Sequence, residues 1–179
     1  MRKVILGAGI SLDGYVARPD GSVDFLDMTR TKQAGKLMAD FYGILDAVVF
    51  GRKTFDAAVK LHGGKYKSPV AIATYVFSLT LPPGERDGVM FVNQAPAAFV
   101  RQMRKRRGKH IFVMGGGELA RSFLKDDAVD EIFVGVVPVL LGAGVPLFPA
   151  GFPQRDFKLV ESKTYRPGWL SLKYQRARG

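Results

Sequence analysis

The sequence predicts one α/β domain with a mostly parallel central sheet and helices on both of its faces. Apolar segments rich in β-branched residues recur along the chain, and segments of helical periodicity separate them. This alternation is typical of parallel sheets covered by helices. The chain has 179 residues, a length that favours a single domain, 1–179, with a core that needs no disulfide.

Eight segments have the composition of strands. The first six are apolar runs of the kind found in buried strands, and they cover 3–10, 46–51, 70–77, 88–93, 110–115 and 131–139. The last two, 157–166 and 169–177, alternate apolar and polar residues around a Pro-Gly turn. They are predicted to form an antiparallel pair at one edge of the sheet.

Four segments have helical periodicity, and they cover 31–45, 54–61, 96–107 and 117–126. Thr54 belongs to the residue types that cap helix N-termini, so it is predicted to be the N-cap of the second helix. No segment approaches the length of a membrane span, and the N-terminus lacks the pattern of a signal peptide. We therefore expect a cytoplasmic protein that does not bind membranes.

The composition excludes cysteine-based sites and leaves the class of anionic partner open. There is no cysteine, which excludes a thiolate metal site and a cysteine nucleophile, and no metal site is expected. The net charge is +11, which suits either nucleic acid or anionic small molecules. The densest basic segment, 101–110, has no interleaved aromatic residue and is interpreted as the solvated end of a helix, so nucleic acid is not an expected partner.

The most unusual segment is a run of three glycines, Gly115 to Gly117, between a predicted strand and a predicted helix. Ligands of parallel sheets bind at the carboxyl ends of strands, where helix N-termini offer free N–H groups. Glycine also lets an anion approach the backbone closely. The run therefore predicts a pyrophosphate site, and close packing between helix and sheet is the alternative explanation.

Two other strand ends have residues suited to binding a phosphate or a flat ring. Gly51, Arg52 and Lys53 follow the strand at 46–50, directly before Thr54, and two cations at a helix start suit a phosphate. They could equally be exposed cations beside an ordinary cap. The first strand ends in the small residues 7–9, which would allow a flat ring to lie on the backbone or would simply serve a turn.

Two common nucleotide motifs are excluded. The segment 115–120 matches the Gly-x-Gly-x-x-Ala pattern, but no acidic residue ends the following strand to hold a ribose. The chain also has no Gly-Lys-Ser/Thr sequence, so a Walker A loop is absent.

Five segments, taken together and in order, resemble the dihydrofolate reductase superfamily. They are ISLDGYVARPDG (10–21), VVFGRKTFD (48–56), YVFSLTL (75–81), FVMGGGELARSFL (112–124) and VDEIFVGVVPVLLGAGVPLF (129–148). The resemblance is greater to stand-alone members similar to the reductase domain of bacterial riboflavin biosynthesis, the RibD C-terminal domain. It covers nearly the whole chain.

The resemblance implies an NADPH-dependent reductase of the riboflavin-pathway type, which reduces a phosphoribosylaminouracil, with NADH as a possible cofactor. The pyrophosphate would lie on Gly115, Gly116, Gly117, Glu118 and Leu119. The 2′-phosphate and pyrophosphate would also contact the motif Gly51, Arg52, Lys53 and Thr54. Ser78 would lie by the adenosine, and Gly9 and Val16 would flank the nicotinamide. Family members usually have a cis peptide within the glycine pair.

The chain also departs from the family pattern. Asp24 is the nearest candidate for the carboxylate that acts on the substrate ring, although a turn or cap role is the alternative. Gly7 and Met114 stand where riboflavin-type domains often have a lysine and a glutamate, and Leu79 stands where relatives often have an arginine. A protein that keeps the fold as a non-catalytic nucleotide-binding or basic interaction protein is the alternative function. A homodimer is possible, with 136–148 either at its interface or buried within the monomer.

Overall fold

The computed structural model describes residues 1–61, 63–66, 68 and 71–177. Its longer strands are β1 (Val4–Ser11), β3 (Leu45–Gly51), β4 (Ala73–Phe77), β6 (Val89–Val92), β7 (His110–Val113), β8 (Glu131–Val137), β10 (Phe157–Tyr165) and β11 (Trp169–Arg176). Three short strands are β2 (Tyr15–Ala17), β5 (Gly84–Arg86) and β9 (Val145–Pro146). The helices are α1 (Lys32–Gly43), α2 (Arg52–Leu61), α3 (Pro96–Arg104) and α4 (Gly117–Lys125), with a 3-10 helix at Asp24–Thr29.

Nine of the described strands form one sheet in the order β10-β11-β8-β1-β7-β3-β4-β6-β5. The six strands from β8 to β6 run parallel to one another. Both edges are antiparallel, because β11 and β10 pair antiparallel beyond β8 and β5 pairs antiparallel with β6. The predicted α/β class, the parallel centre and the antiparallel C-terminal pair are confirmed.

The core lies on both faces of the sheet because successive strand residues point to opposite sides. On one face Val4 and Leu6 of β1 pack with α3 and α4, which contribute the fully buried Phe99 and Phe123. On the other face Ile5 packs with the aromatic residues of α1 and α2. Continuous apolar strands are therefore required in the centre of the sheet.

Most of the predicted element bounds lie within two residues of those in the structure. Helix α2 begins at Arg52, two residues earlier than predicted, and α3 ends at Arg104, earlier than residue 107. Strand β4 begins at Ala73, and Val70, where that strand was predicted to begin, lies outside the described residues. The short strands and the 3-10 helix were not predicted, since two or three residues in each strand and six in the helix are too few to establish a periodicity.

Loop residues 138–148 are divided between core and surface. Leu147 is fully buried, whereas the side chain of Leu140 is 70% exposed. Asp13 anchors the loop, because its carboxylate accepts hydrogen bonds from the N–H groups of Leu141 and Gly142. No helix in the described part of the chain is long and apolar enough to span a bilayer.

Ion pairs hold the amino edge of the sheet together. Arg2 pairs with Asp46, which joins β1 to β3. Glu131, at the start of β8, is only 3% exposed and lies 2.6 Å from the Lys3 ammonium and 3.1 Å from that of Lys173. Burial alone raises the pKa of the Glu131 carboxyl, but the two lysines hold it below its ordinary value. The group is therefore ionised at neutral pH.

Replacing Glu131 by Gln should lower the free energy of unfolding by about 2 kcal/mol at neutral pH, because it leaves two lysines without their shared partner. The loss should disappear in acid: the folded-state pKa is depressed below 4.5, so the wild-type advantage exists above that value and is lost as the pH falls through the folded-state pKa. Urea unfolding of both proteins at neutral and acidic pH measures this. Equal differences at both pH values would contradict the assigned ion pairs.

Candidate functional site

Two of the predicted phosphate-binding segments meet at the carboxyl edge of the sheet. Strands β3 and β7 are adjacent and parallel, with Val49 opposite Val113. The chain then continues in both cases into a helix, α2 and α4. The Gly116 N–H donates a hydrogen bond of 3.0 Å to the Thr54 hydroxyl, and the Leu119 side chain lies against Gly51. The two helix starts are therefore in direct contact.

The predicted cap role of Thr54 is wrong. Helix α2 already begins at Arg52, so Thr54 is its third residue and not its N-cap. Its hydroxyl accepts from Gly116 of the neighbouring junction instead of from its own helix. A threonine at a helix start indicates an acceptor for a free N–H group, but only the tertiary structure shows which N–H group that is.

Glycine occurs at positions 115, 116 and 117 for three different structural reasons. Gly115 has a φ of +46°, in the left-handed region, and a Cβ atom there would meet nothing within 4 Å. A Cβ atom on Gly116 would lie 2.9 Å from the Thr54 hydroxyl, and one on Gly117 would lie 2.3 Å from the carbonyl oxygen of Pro146. Close packing, the alternative explanation, therefore accounts for Gly117, whereas Gly115 leaves open space beside the backbone.

The expected cis peptide within the glycine pair is not found. In the described chain the cis peptide bond joins Arg166 and Pro167, in the turn between β10 and β11. The glycine junction turns instead through the positive φ of Gly115, which a residue without a Cβ atom adopts at little cost.

The N-terminus of α4 offers free hydrogen-bond donors. Gly116 is its N-cap and supplies no side-chain acceptor, so the first three N–H groups of the helix have no partner within it. These belong to Gly117, Glu118 and Leu119. The Glu118 carboxylate turns to the guanidinium of Arg121, one turn further along. The backbone of this turn suits an anion, because its N–H groups and the helix dipole both favour negative charge.

The two cations at the start of α2, Arg52 and Lys53, are not equally available to bind an anion. The Arg52 Nε donates to both carboxylate oxygens of Asp56, at 2.6 and 2.7 Å. Lys53 is exposed and makes no ion pair within the described residues. Lys53 can therefore meet an anion directly, whereas Arg52 must share its guanidinium with Asp56.

Ser78 lies at the same edge, directly after β4, the neighbour of β3. It is 6% exposed, and its hydroxyl accepts from the N–H groups of Thr80 and Leu81 at 3.3 and 3.0 Å. This bond closes the turn in which Leu79 is 90% exposed. Ser78 thus lies at the same edge as the other candidate segments, and its hydroxyl stabilises this turn. Its predicted contact with an adenosine stays a prediction.

Gly9 and Val16 lie at the end of β1 and in the short strand that follows it. A Cβ atom on Gly9 would come within 2.9 Å of the Leu26 side chain, so the 3-10 helix covers this point. Val16 packs against the core cluster of α3 and α4. Its strand β2 pairs with β9, which contains Pro146 and thereby contacts Gly117. The end of β1 is thus connected to the glycine junction.

Asp24 does not have the surroundings of a proton donor. It is 60% exposed at the start of the 3-10 helix and pairs with Arg18 at 2.7 Å. Hydrogen bonding from Arg18 lowers the pKa of the Asp24 carboxyl below its ordinary value. The carboxylate is therefore ionised at neutral pH, and its predicted contact with a substrate stays a prediction.

Pro146 is a residue of this edge that no motif indicated. Its carbonyl oxygen lies against Gly117, a contact between segments that are distant in the sequence. Within the described residues no group of His, Asp or Glu side chains is arranged to hold a metal ion.

Comparison with known proteins gives one family. Residues 2–171 match the model of the RibD C-terminal domain. Two Bacillus subtilis proteins are similar along nearly their whole length, both uncharacterized. YwjB is 33% identical, with 98% of this chain and 99% of YwjB covered. YyaP is 28% identical, with 97% and 94% covered.

Solved structures agree with the fold. A Shewanella sp. PV-4 protein, named "Putative riboflavin biosynthesis protein", has a TM-score of 0.85 and 26% identity, with 98% of this chain and 99% of that one covered. A bifunctional Thermotoga maritima deaminase and 5-amino-6-(5-phosphoribosylamino)uracil reductase has a TM-score of 0.72. At 17% identity, covering 98% of this chain and 57% of that one, it shows the fold alone.

Replacing Thr54 by Val should lower the free energy of unfolding by about 1 kcal/mol, because the Gly116 N–H loses its acceptor while the side-chain shape is kept. Thr54→Ser, which keeps the hydroxyl, is the matched control and should lose less. Urea unfolding measures both. A serine variant as unstable as the valine variant would show that packing of the methyl group, and not the hydrogen bond, joins the two junctions.

Proposed function

Because the chain belongs to the RibD C-terminal domain family, we propose that it is an NADPH-dependent reductase. It transfers a hydride to a small heterocyclic or carbonyl substrate, in a reaction of the riboflavin-pathway type. NADH is the alternative cofactor. The Shewanella sp. PV-4 relative, 26% identical and named "Putative riboflavin biosynthesis protein", supports the assignment to this pathway.

One observation carries the proposal: the hydrogen bond between Gly116 and Thr54. It places the free N–H groups of α4 beside the cations of α2. A dinucleotide has two linked phosphates and, in NADPH, a third phosphate on the ribose. A site that joins a helix N-terminus to neighbouring cations matches that distribution of charge.

The residues present fit a dinucleotide. The N–H groups of Gly117, Glu118 and Leu119 would hold the pyrophosphate, next to Gly115, where a Cβ atom would meet nothing within 4 Å. Lys53 and, after release from Asp56, Arg52 would hold the ribose phosphate. When bound, NADPH supplies the hydride, which no protein side chain provides.

The protein's own part is positioning and exclusion of water. Leu26 covers the end of β1 at Gly9, and β2 with β9 closes the side next to Gly117. These contacts give the nicotinamide end of the site apolar walls, and a fixed, dry geometry favours hydride transfer. Asp24 remains paired with Arg18, so the proton of the reaction comes from another donor, such as water.

A second candidate function has its own observation. Arg101, Lys105, Arg106 and Arg107 are exposed at the end of α3 and in the loop after it, and none makes an ion pair within the described part of the chain. They lie at the amino edge of the sheet, opposite the glycine junction. A basic interaction protein that has lost turnover would use this surface, and its affinity for polyanions would fall steeply with salt.

Titration of the full chain with NADPH, followed by the nicotinamide fluorescence, separates the two functions. The reductase should bind NADPH and oxidise it when a ring or carbonyl substrate is added, with loss of near-ultraviolet absorbance. Charge reversal of Arg106 and Arg107 to Glu should leave NADPH binding unchanged. Loss of NADPH binding in that variant, or absence of binding in the wild type, would overturn the assigned site.

Replacing Arg52 by Ala should weaken NADPH binding about tenfold and NADH binding less than about twofold, because a charge-assisted hydrogen bond to the extra phosphate is lost. Asp56→Asn is the control, since it frees the guanidinium without removing it. That variant should bind NADPH at least as tightly as the wild type in the same titration. Equal losses for both cofactors in Arg52→Ala would remove Arg52 from the phosphate site.

A further inference from the structure

The loop that follows β8 is joined to the turn between β1 and β2. The Leu12 N–H donates to the Val139 carbonyl oxygen at 2.8 Å, and the Leu147 N–H donates to that of Gly14 at 3.0 Å. The pairing of β2 with β9 continues this contact. We call residues 11–17 and 138–148 together the loop pair.

Asp13 is the side chain that connects the two halves of the loop pair. Its Oδ2 atom accepts from the N–H groups of Leu141 and Gly142 at 3.1 and 2.8 Å. Its Oδ1 atom accepts from the hydroxyl of the fully buried Ser11 at 2.6 Å. Hydrogen bonding from Ser11, more than from the two N–H groups, lowers the pKa of the Asp13 carboxyl below its ordinary value. An ionised carboxylate therefore fastens the tip of the loop to the turn.

One end of the loop pair lies against the start of α4. A Cβ atom on Gly117 would be 2.3 Å from the Pro146 carbonyl oxygen and 3.1 Å from the Pro149 ring. Leu147 is fully buried in the core cluster that also contains Leu119 of α4. Gly117 and Leu119 supply two of the free N–H groups assigned to the pyrophosphate. The position of the loop pair therefore determines what lies beside those groups.

The loop pair also borders the residues assigned to the nicotinamide. β1 leads from Gly9 directly into Ser11, and Val16 lies in β2 and packs against the same core cluster. A shift of one half of the loop pair against the other would therefore disturb both ends of the proposed site. A dinucleotide that is held at two ends binds tightly only when their separation is fixed before it arrives.

Electrostatics alone predicts that the removal of Asp13 would favour the cofactor. NADP⁺ carries a pyrophosphate and a ribose phosphate, and a carboxylate beside its site repels these anions. Loss of the charge would tighten binding if Asp13 had no structural connection to the site. The sign of the change in affinity therefore separates a positioning role from a charge effect.

We propose that Asp13 is a positioning residue of the cofactor site, which holds the loop pair closed and thereby keeps Pro146 in place beside the free N–H groups of α4. The inference rests on the proposed reductase function for the identity of the ligand. Asp13 takes no part in hydride or proton transfer. It acts through the backbone of residues 141–147.

Calorimetric titration of the full chain with NADP⁺ tests this role. Asp13→Ala should weaken binding about fivefold, because the loop tip loses both of its hydrogen bonds to the turn. Asp13→Asn should bind at least as tightly as the wild type. Its amide oxygen can accept from both N–H groups, as Oδ2 does now, and the negative charge is gone.

Asp20→Ala is the matched control. Asp20 is also exposed and accepts hydrogen bonds from the N–H group and the hydroxyl of Ser22, in the connection from β2 to the 3-10 helix. The variant removes the same charge and two local hydrogen bonds without a change in the contacts of loop 138–148. It should bind NADP⁺ no more weakly than the wild type.

Adenosine 2′-monophosphate separates positioning from a general loss of structure. It has the ribose phosphate assigned to Lys53 but no pyrophosphate. Asp13→Ala should therefore bind it within about twofold of the wild type, because that end of the site shares no partner with Asp13.

Hydrogen exchange in the wild type provides a readout that needs no variant. If opening of the loop pair weakens NADP⁺ binding, NADP⁺ must in turn oppose that opening by the same factor. Saturating NADP⁺ should therefore slow exchange of the Gly142 N–H about fivefold, although Gly142 has no assigned contact with the cofactor. Nuclear magnetic resonance measures this residue by residue.

The outcomes separate this inference from the proposed function. NADP⁺ binding by Asp13→Ala that equals or exceeds that of the wild type would overturn the inference and leave the reductase function standing. Unchanged exchange at Gly142 would do the same, and it decides the test if Asp13→Ala does not fold. Equal losses for NADP⁺ and adenosine 2′-monophosphate would also overturn the positioning role. A wild-type chain without affinity for NADP⁺ would overturn the reductase function and the inference with it.

Discussion

The hydrogen bond from the Gly116 N–H to the Thr54 hydroxyl joins two helix starts that are 62 residues apart in the chain. It forms because β3 and β7 are parallel neighbours and both continue directly into a helix. Parallel strands bring their carboxyl ends to one edge, and the helices that follow point their positive ends toward it. The candidate site and the position of Met114 both follow from this pairing.

The two edges of the sheet differ in how their charges are satisfied. At the amino edge, arginines and lysines pair with Asp46, Asp130 and Glu131 and connect the strands. At the carboxyl edge, the first N–H groups of α4 have no side-chain cap, and Lys53 makes no ion pair in the described chain. Satisfied charges stabilise the fold, whereas free donors are available to a ligand. This division separates the stabilising end of the molecule from the end that can bind an anion.

Several site residues were predictable because their chemistry is local. Glycine in a strand-to-helix turn, cations at a helix start and a serine after a strand are visible in the sequence, and the structure places all three segments at one edge. Three details were not predictable in the same way. Thr54 caps the neighbouring junction and not its own helix, Asp24 is paired with Arg18, and Gly117 is required by a carbonyl oxygen of a distant strand. Each depends on a partner far away in the sequence or on a side-chain conformation.

The sequence by itself determined the α/β class, the parallel centre, the antiparallel C-terminal pair and the segments that bear the candidate site, because apolar periodicity and turn residues act over a few neighbouring positions. Only the tertiary structure decided which strands are neighbours and what each polar group contacts. The contact between Thr54 and Gly116 is the clearest case, since the two residues come from separate loop–helix junctions and neither segment indicates the other. Residues that meet only across a folded sheet leave no periodic pattern in the chain, so their shared surface appears only when the strands have been ordered.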